Sequence, residues 1–451
     1  MKAVLYTTNS EVTFRKRELR PCGDCMTRAN CLTLGEKPLP EPMVGFGVAV
    51  TGSSAYVLDK MPENSRREYL NDIYTRDGLN CSVGRISVGS SDYSPDLYTY
   101  DDVPGDTKLE HFSVERDEEF IIPMIREILN IKPDLFLFSS PWSPPGWMKT
   151  GGSMCGGFMR EEFIDIYADY YVKFIKEYEK RGIKISALTP QNECETTQDG
   201  KSVACVWHPD TEAKFVLKLR KKLESAGLSP EIWLYDHNFS GVERLIWMFR
   251  EYPELLGASG AVGWHYYGGG AEELSRLTEL FPEVKMHFTE GGPRRFDHYD
   301  SDWCKWGTMM ASAVNAGCRS FTGWNLLLDE TGGPNVGPFD CGGLATYNTA
   351  TGELSYSGQY RALKHFSGLV MPGALVLPTA VTAIDYVNMF SYPNVTKQLV
   401  TCAFKNPDGS LVLQIVNPNN SRRQMRFEYS GEKWYFELLA NSVTSVVFTE
   451  D

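Results

Sequence analysis

Eight short apolar runs, each followed by a longer amphipathic stretch, set the tightest limit on how this chain can fold. The runs are Val44–Val50, Ser82–Val88, Leu135–Ser139, Ile183–Leu188, Glu231–Tyr235, Ala261–His265, Lys285–Thr289 and Arg319–Trp324. Several are apolar without alternation, as strands covered on both faces must be. The spacing predicts helices at Ser65–Thr75, Asp117–Leu129, Arg160–Lys180, Thr211–Ala226, Val242–Tyr252, Ala271–Phe281 and Asp302–Ala316, with Tyr360–Phe366 closing the series. Eight β–α alternations fit a (β/α)8 TIM barrel with inserted loops, in the α/β class. An open doubly wound sheet is the competing architecture. Against it, Gly45-Phe46-Gly47-Val48-Ala49-Val50 lacks the third glycine of a dinucleotide-binding turn. The stripe Phe163, Tyr167, Tyr170, Phe174 and Tyr178 has helical spacing and reads as core rather than as a sugar platform.

From about residue 372 the pattern changes. Ala383–Ser391, Leu399–Asn406, Leu411–Asn417, Arg423–Tyr429, Trp434–Leu439 and Ser442–Thr449 are short strand candidates separated in part by Asn, Pro and Gly turns. They predict a small antiparallel β-sandwich, with the strand-like patches Ala3–Thr7 and Val12–Arg15 completing it. The expected division is residues 1–40 as N-terminal strands of the sandwich, 41–371 as the barrel and 372–451 as the rest of the sandwich.

The net charge of −13 disfavours nucleic acid and anionic membranes as partners. No apolar run is long enough to span a bilayer, and the first residues lack a secretory signal, so a cytoplasmic protein is expected, or a secreted one whose signal has been removed. Cys22, Cys25 and Cys31 cluster without a fourth ligand nearby, so loose thiols are expected rather than zinc. The sequon Asn394-Val395-Thr396 carries little weight without an export signal.

A barrel of this kind places its active site at the C-terminal ends of its strands. The polar residues there are Ser90, Ser91 and Asp92; Ser140 and Trp142; Gln191, Asn192 and Glu193; Asp236, His237 and Asn238; His265, Tyr266 and Tyr267; Glu290; and Trp324 with Asn325. Such a ring of carboxylates, amides and indoles suits sugars, since aromatic faces stack on pyranose C–H faces and polar groups take the hydroxyls. Glu193 ends the fourth strand and Glu290 the seventh, so a closed barrel can set them face to face. Two opposed carboxyls are the minimum machinery for cleaving a glycosidic bond. No strand ends in Lys, which disfavours aldolase-type chemistry, although Gly291-Gly292-Pro293-Arg294-Arg295 offers two cations beside two glycines.

These residues resemble a known family. Gly45-Phe46-Gly47, Tyr98-Thr99-Tyr100, Ser140-Pro141-Trp142-Ser143-Pro144-Pro145-Gly146-Trp147-Met148-Lys149-Thr150, Thr189-Pro190-Gln191-Asn192-Glu193, His265-Tyr266-Tyr267, Thr289-Glu290, Gly323-Trp324-Asn325-Leu326 and Gly332-Gly333-Pro334-Asn335 are similar, in order, to glycoside hydrolase family 30, which includes lysosomal glucosylceramidase. The resemblance covers about residues 44–370. It implies that Glu193 is the acid/base and Glu290 the nucleophile, and that Asn192 holds the sugar's 2-hydroxyl. It also implies that Asp92 and Trp142 grip outer hydroxyls, that His265 and Tyr267 flank the nucleophile, and that Trp324 forms the floor. Arg85 would lie beneath the nucleophile and keep it ionised, while the neighbouring charge would raise the pKa of Glu193. Asp236 is a further candidate for tuning Glu193.

Departures from the family pattern fall near the mouth: Thr51-Gly52-Ser53-Ser54, read as a loop; Cys194 after the acid/base; and Val336-Gly337-Pro338-Phe339-Asp340-Cys341. They bear on substrate preference. The expected function is a retaining β-glycosidase acting on a terminal β-linked sugar, a β-glucoside foremost, with no metal and no organic cofactor. A β-xylosidase or β-1,6-glucanase is the alternative within the family, and a non-catalytic carbohydrate-binding barrel the alternative outside it. The partner is a carbohydrate or glycoconjugate.

Overall fold

The computed structural model describes residues 1–23, 29–382 and 398–450. The strand predicted at Ala383–Ser391, Cys25 and the Asn394 sequon lie outside them. Eight parallel strands close into a barrel: β1 (Gly45–Ala49), β2 (Val83–Ser87), β3 (Phe136–Ser140), β4 (Ala187–Leu188), β5 (Glu231–Asn238), β6 (Ala261–His265), β7 (Lys285–Glu290) and β8 (Cys318–Gly323), with β8 pairing back onto β1. Gly47 permits one close seam. A Cβ there would fall 1.7 Å from the Val83 carbonyl oxygen, so only glycine lets β1 lie against β2.

The pleat then sorts side chains by depth. Residues two apart share a strand face, so Val83 and Arg85 of β2 both point inward, one step apart along the barrel. Val83, Phe138, Ala187, Trp233 and Ala261 form an apolar cluster toward the strands' N-terminal ends, and His287 lies on Trp233 with ring centroids 3.8 Å apart. Two to four residues further along each strand come Arg85, Ser140, Asp236, His265 and Glu290, all buried. The barrel thus changes from an apolar floor to a charged mouth within two to four residues.

The predicted helices appear, with Tyr167, Tyr170, Phe174 and Tyr178 buried in the helix Ile164–Lys180 as core. Two elements differ from expectation. Thr51–Ser54 is not a loop: Thr51 caps the helix Gly52–Lys60, its Oγ1 accepting from Ser54 N at 3.1 Å. Small hydroxyl residues are poor helix formers but good caps, which hides a helix that begins with them. β4 is only two residues long, so Ile183–Ser186 stands outside the ladder.

The chain ends build a sandwich on the side of the barrel. A six-stranded sheet runs Leu375–Leu377, Val400–Lys405, Leu411–Asn417, Ser442–Thr449, Lys2–Thr8, Arg15–Leu19; a four-stranded one runs Thr379–Thr382, Asn30–Leu34, Arg423–Tyr429, Glu432–Leu438. The patch expected at Val12–Arg15 lies mostly before its strand, and Asn30–Leu34 is a strand the sequence did not signal. The centre of the six-stranded sheet is buried on both faces. Leu411, Leu413 and Ile415 meet Phe427, Trp434 and Phe436 of the second sheet, while Val412 and Val416 belong to the core shared with the barrel. Between sheet and barrel His365 is buried, Nδ1 on Ser445 Oγ (2.7 Å) and Nε2 on Thr8 Oγ1 (2.8 Å). Cys22 is disulfide-bonded, contrary to the loose thiol expected, whereas Cys31 is free. A small sheet of Leu327–Asp329, Ala345–Tyr347 and Leu354–Tyr356 follows β8. Among the described residues no helix is long and apolar enough to cross a membrane.

Candidate active site

At the mouth of the barrel a cavity of about 830 Å³ opens, lined in part by Asp92, Trp142, Asn192, Glu193, Tyr267, Glu290 and Trp324. The structure therefore brings together seven of the nine residues singled out from sequence. Arg85 and His265, the other two, sit behind this wall, each about 1% exposed or less. His265, expected at the substrate, instead has both ring nitrogens on carboxylates.

Glu290 ends β7 with one oxygen on Arg85 Nη1 and the other on the Tyr267 hydroxyl, which donates at 2.9 Å. Arg85 also donates from Nη2 to Asn192 Oδ1 (2.7 Å) and Asp236 Oδ2 (2.9 Å), and from Nε to Ser140 Oγ (3.2 Å). Because Arg85 occupies the Asn192 carbonyl, the amide NH2 group is left for the cavity. The guanidinium lies 4.8 Å from the Trp142 ring centroid, and Trp142 stacks on Trp324 at 5.0 Å.

Glu193 follows β4 in a left-handed backbone conformation (φ 52°), as do Tyr235 and Asp236 in β5 and Asn325 after β8. The β5–β6 pairing shifts register between Leu234 and His237. Such irregularities re-aim side chains at strand ends, and left-handed non-glycine residues concentrate at functional sites. Glu193 Oε1 lies 3.2 Å from His265 Nδ1, and its Oε2 accepts from Gln198 Nε2 at 3.0 Å. On its other side His265 Nε2 meets Asp236 Oδ1 at 3.1 Å. Oxygens of Glu193 and Glu290 and a nitrogen of His265 lie within 4.8 Å of one another, the grouping among the described residues whose donors are close enough to share a metal ion. Positive charge at this point is already supplied by Arg85 and His265.

Burial alone would discharge His265, but Glu290, Asp236 and Glu193 raise its pKa to about 9, so it is an imidazolium at neutral pH. Burial pushes Asp236 up too, and Arg85 and His265 overcome it, holding the carboxyl well below the usual range. For Glu193 burial is likewise opposed by the His265 hydrogen bond and charge, and the net direction is down. Glu290 moves up, through burial and the charge of Glu193, with His265 and Arg85 opposing. This corrects the expectation of a raised Glu193: His265 lies 3.2 Å from a Glu193 oxygen and 4.0 Å from the nearer Glu290 oxygen. Asp92 is raised by burial and then by Glu290 and Glu193, and its Oδ1 has no hydrogen-bond partner.

Several further residues line the cavity: Thr196 and Gln198 on the loop after β4, His237 and Asn238 at the end of β5, and Arg294, Phe296 and Phe339 on later loops. His237 and Asn238 were visible as strand-end polar residues, and Arg294 and Phe339 lie in loop segments already noted in the sequence; Thr196, Gln198 and Phe296 carried no signal. Trp147 is not at the cavity, its indole N–H being spent on the Asp101 carbonyl.

Comparison with known proteins agrees with this geometry. The glycosyl hydrolase family 30 TIM-barrel domain matches residues 43–370, and the beta sandwich domain of the same family matches 387–446. An endo-1,6-beta-D-glucanase of Neurospora crassa is 28% identical over 437 residues, covering 92% of this chain and 88% of its own. The lysosomal acid glucosylceramidase of Mus musculus is 25% identical over 408 residues, covering 86% and 77%. Among solved structures, SrfJ from Salmonella typhimurium superposes with a TM-score of 0.90 at 26% identity over 100% of both chains. The endo-beta1,6-glucanase BT3312 does so with 0.87 at 26%, over 99% of this chain and 100% of its own.

Proposed function

The chain belongs to glycosyl hydrolase family 30 and is a glycoside hydrolase, and from that premise we propose that it hydrolyses β-glucosidic bonds with retention, β-1,6-linked glucan being its substrate. The carrying observation is the close approach of the two carboxylates, oxygens of Glu193 and Glu290 lying within 4.8 Å. A retaining pair is about 5–5.5 Å apart, whereas an inverting pair stands at about 6.5–9.5 Å to admit a water.

In the first step Glu290 attacks the anomeric carbon while Glu193 protonates the leaving oxygen, and a glycosyl ester forms on Glu290. Arg85 and Tyr267 hold the Glu290 carboxyl aimed at that carbon, and Arg85 opposes the upward shift that burial gives it. The proton Glu193 needs is present on its hydrogen bond to His265, where Asp236 stabilises the imidazolium. As negative charge at Glu290 is consumed, His265 loses the largest influence that held its proton, which favours transfer toward Glu193. In the second step Glu193 accepts a proton from water and the ester is cleaved. Asp92, Trp142, Asn192 and Trp324 bind the sugar whose bond is cut.

Two loops support the terminal-sugar reading. The Val336 N–H donates to the Asp92 carbonyl at 2.8 Å, and a Cβ on Gly337 would lie 3.0 Å from Ser202 Oγ and 3.1 Å from Asp92 Cβ, so the segments 200–204 and 334–341 meet beside Asp92. The relatives named endo-1,6-beta-glucanases support cutting within a chain. Product analysis on a β-1,6-glucan separates the two: glucose alone as the first product upholds terminal action, and a ladder of oligosaccharides upholds internal action. Retention is tested by following the anomer first released from a nitrophenyl β-glucoside by NMR. An α-anomer would overturn the proposal.

A further inference from the structure

Outside the cavity, a buried ion pair on the barrel's helices reaches the acid/base through the irregular part of β5. Between Leu234 and His237, β5 spends one residue more than β6, whose Val262 and Trp264 pair with those two. Tyr235 and Asp236 take up the excess with left-handed backbone. Such a bulge takes a backbone donor out of the sheet, and a buried donor must find a partner elsewhere. Glu212 supplies it. From the first turn of the helix Pro209–Ser225, its Oε1 accepts from the Tyr235 N–H at 2.8 Å. Its Oε2 accepts from Arg244 Nη2 at 2.7 Å, and the same nitrogen donates to the Trp207 carbonyl at 2.8 Å. Arg244 belongs to the next helix, Val242–Glu251. The Glu212 and Arg244 side chains are 1% and 9% exposed, and neither lines the cavity. The Tyr235 hydroxyl is held as well, donating to Glu195 Oε2 at 2.7 Å, and Gly241 leaves room for its ring.

This turn carries the acid/base and the cation beside it. The Asp236 carbonyl accepts from the Glu193 N–H at 2.9 Å, and Asp236 Oδ1 meets His265 Nε2 at 3.1 Å. We propose that Glu212, fixed by Arg244, is a positioning residue for proton donation: it sets the turn at Tyr235–Asp236, and through that turn the backbone of Glu193 and the placement of His265. The inference rests on Glu193 as the acid/base and adds the residues that aim it. A neutral side chain in place of Glu212 weakens the hold on the Tyr235 N–H and leaves the Arg244 charge buried without its closest partner. The resulting displacement falls on Glu193, where a misplacement of about an ångström is felt in the rate. Glu290 is held from elsewhere, by Arg85 of β2 and by Tyr267.

Leaving-group dependence separates aim from mere support, because a good leaving group departs without a proton and a poor one does not. With the full chain, kcat/KM is measured on dinitrophenyl β-glucoside and on phenyl β-glucoside. Glu193→Gln is expected to lower the phenyl value far more than the dinitrophenyl value. Glu212→Gln and Arg244→Lys are expected to do the same in lesser degree, widening the ratio of the two values by about tenfold. Added to Glu193→Gln, Glu212→Gln should widen that ratio no further, since the acid it aims is already gone. Arg244→Lys keeps a buried charge pair and carries the comparison if Glu212→Gln fails to fold. Equal losses on both substrates in a folded Glu212 or Arg244 variant overturn the inference, because the pair then supports the fold alone. A further widening on top of Glu193→Gln overturns it too, and either result leaves the glycosidase reading standing. A Glu193→Gln enzyme that loses both substrates equally removes Glu193 as the acid, and the inference with it.

Discussion

At the floor of the barrel His287 lies flat on Trp233, its Nδ1 2.9 Å from Ser320 Oγ. At the mouth His265 stands between Glu193 and Asp236. Both rings are buried, and burial pulls both toward the neutral form. Their proton affinities nevertheless diverge: His287 falls well below the ordinary range, pushed further by Arg319 and Lys285, while His265 rises to about 9. Position along one barrel sets the sign, because one layer of the pleat supplies Trp and Ala and the next supplies carboxylates. The same layering makes the floor a matter of stability and the mouth a matter of chemistry.

Breaking the mouth should cost most where a group reacts. Glu290→Gln is expected to lower kcat/KM on an aryl glucoside by roughly 10⁴-fold or more, as a nucleophile's loss does; a variant with wild-type turnover would refute the assignment. Glu193→Gln should cost roughly 10²–10⁴-fold, less on substrates with better leaving groups, since a good leaving group needs little protonation. Asp236→Asn removes one of the charges that hold the His265 proton, so the alkaline limb of kcat/KM should move below about 9; an unmoved limb would show that Asp236 does not act through His265. At the floor, His287→Phe keeps a ring on Trp233 and should change kcat/KM less than twofold, with a stability change within about 1–2 kcal/mol for the lost hydrogen bond.

Stability against pH sharpens the contrast. His265 gains proton affinity on folding, so its contribution is complete below its unfolded pKa near 6.5 and is lost as pH rises toward about 9. His287, and likewise His365 with its pKa lowered to about 3 by burial and Lys364, contribute above 6.5 and lose that contribution as pH falls. Each such group adds a slope of about 1.4 kcal/mol per pH unit within its window. Denaturant titrations should therefore flatten on the acid side in His287→Phe and not on the alkaline side.

Much of this was legible because strands buried on both faces read as continuous apolar runs and polar residues ending such runs stand out. Glu193, Glu290, Asp92 and Trp142 were found that way, with the family resemblance assigning their parts. What stayed hidden was set by geometry without a local signature. Tyr235 and Asp236 turn left-handed in the middle of β5, which lengthens the strand and swings Asp236 under His265; no propensity announces that. The placement of His265 behind the cavity and the direction of the Glu193 shift depend on which side of a ring each carboxylate occupies. Phe296 and Gln198 sit on loops where neighbouring residues look much the same.

The six-stranded sheet has one more consequence, in time rather than in space. Lys2 pairs with Thr449 and Thr8 with Val443, so a strand waits for a partner made about 440 residues later. At synthesis rates of roughly 5–20 residues per second, the delay is about 20 to 90 s. Over that interval Lys2–Thr8 has an open edge inviting foreign strands, and the barrel helices that its sheet will cover, Trp303–Asn315 and Gly358–Phe366, stay bare on that side. A chain lacking Ser442–Thr449 leaves the facing edges of Lys2–Thr8 and Leu411–Asn417 unpaired. Loss of that one strand thus opens two sheet edges at once, a state that any chaperone or protease reading unpaired strands can recognise.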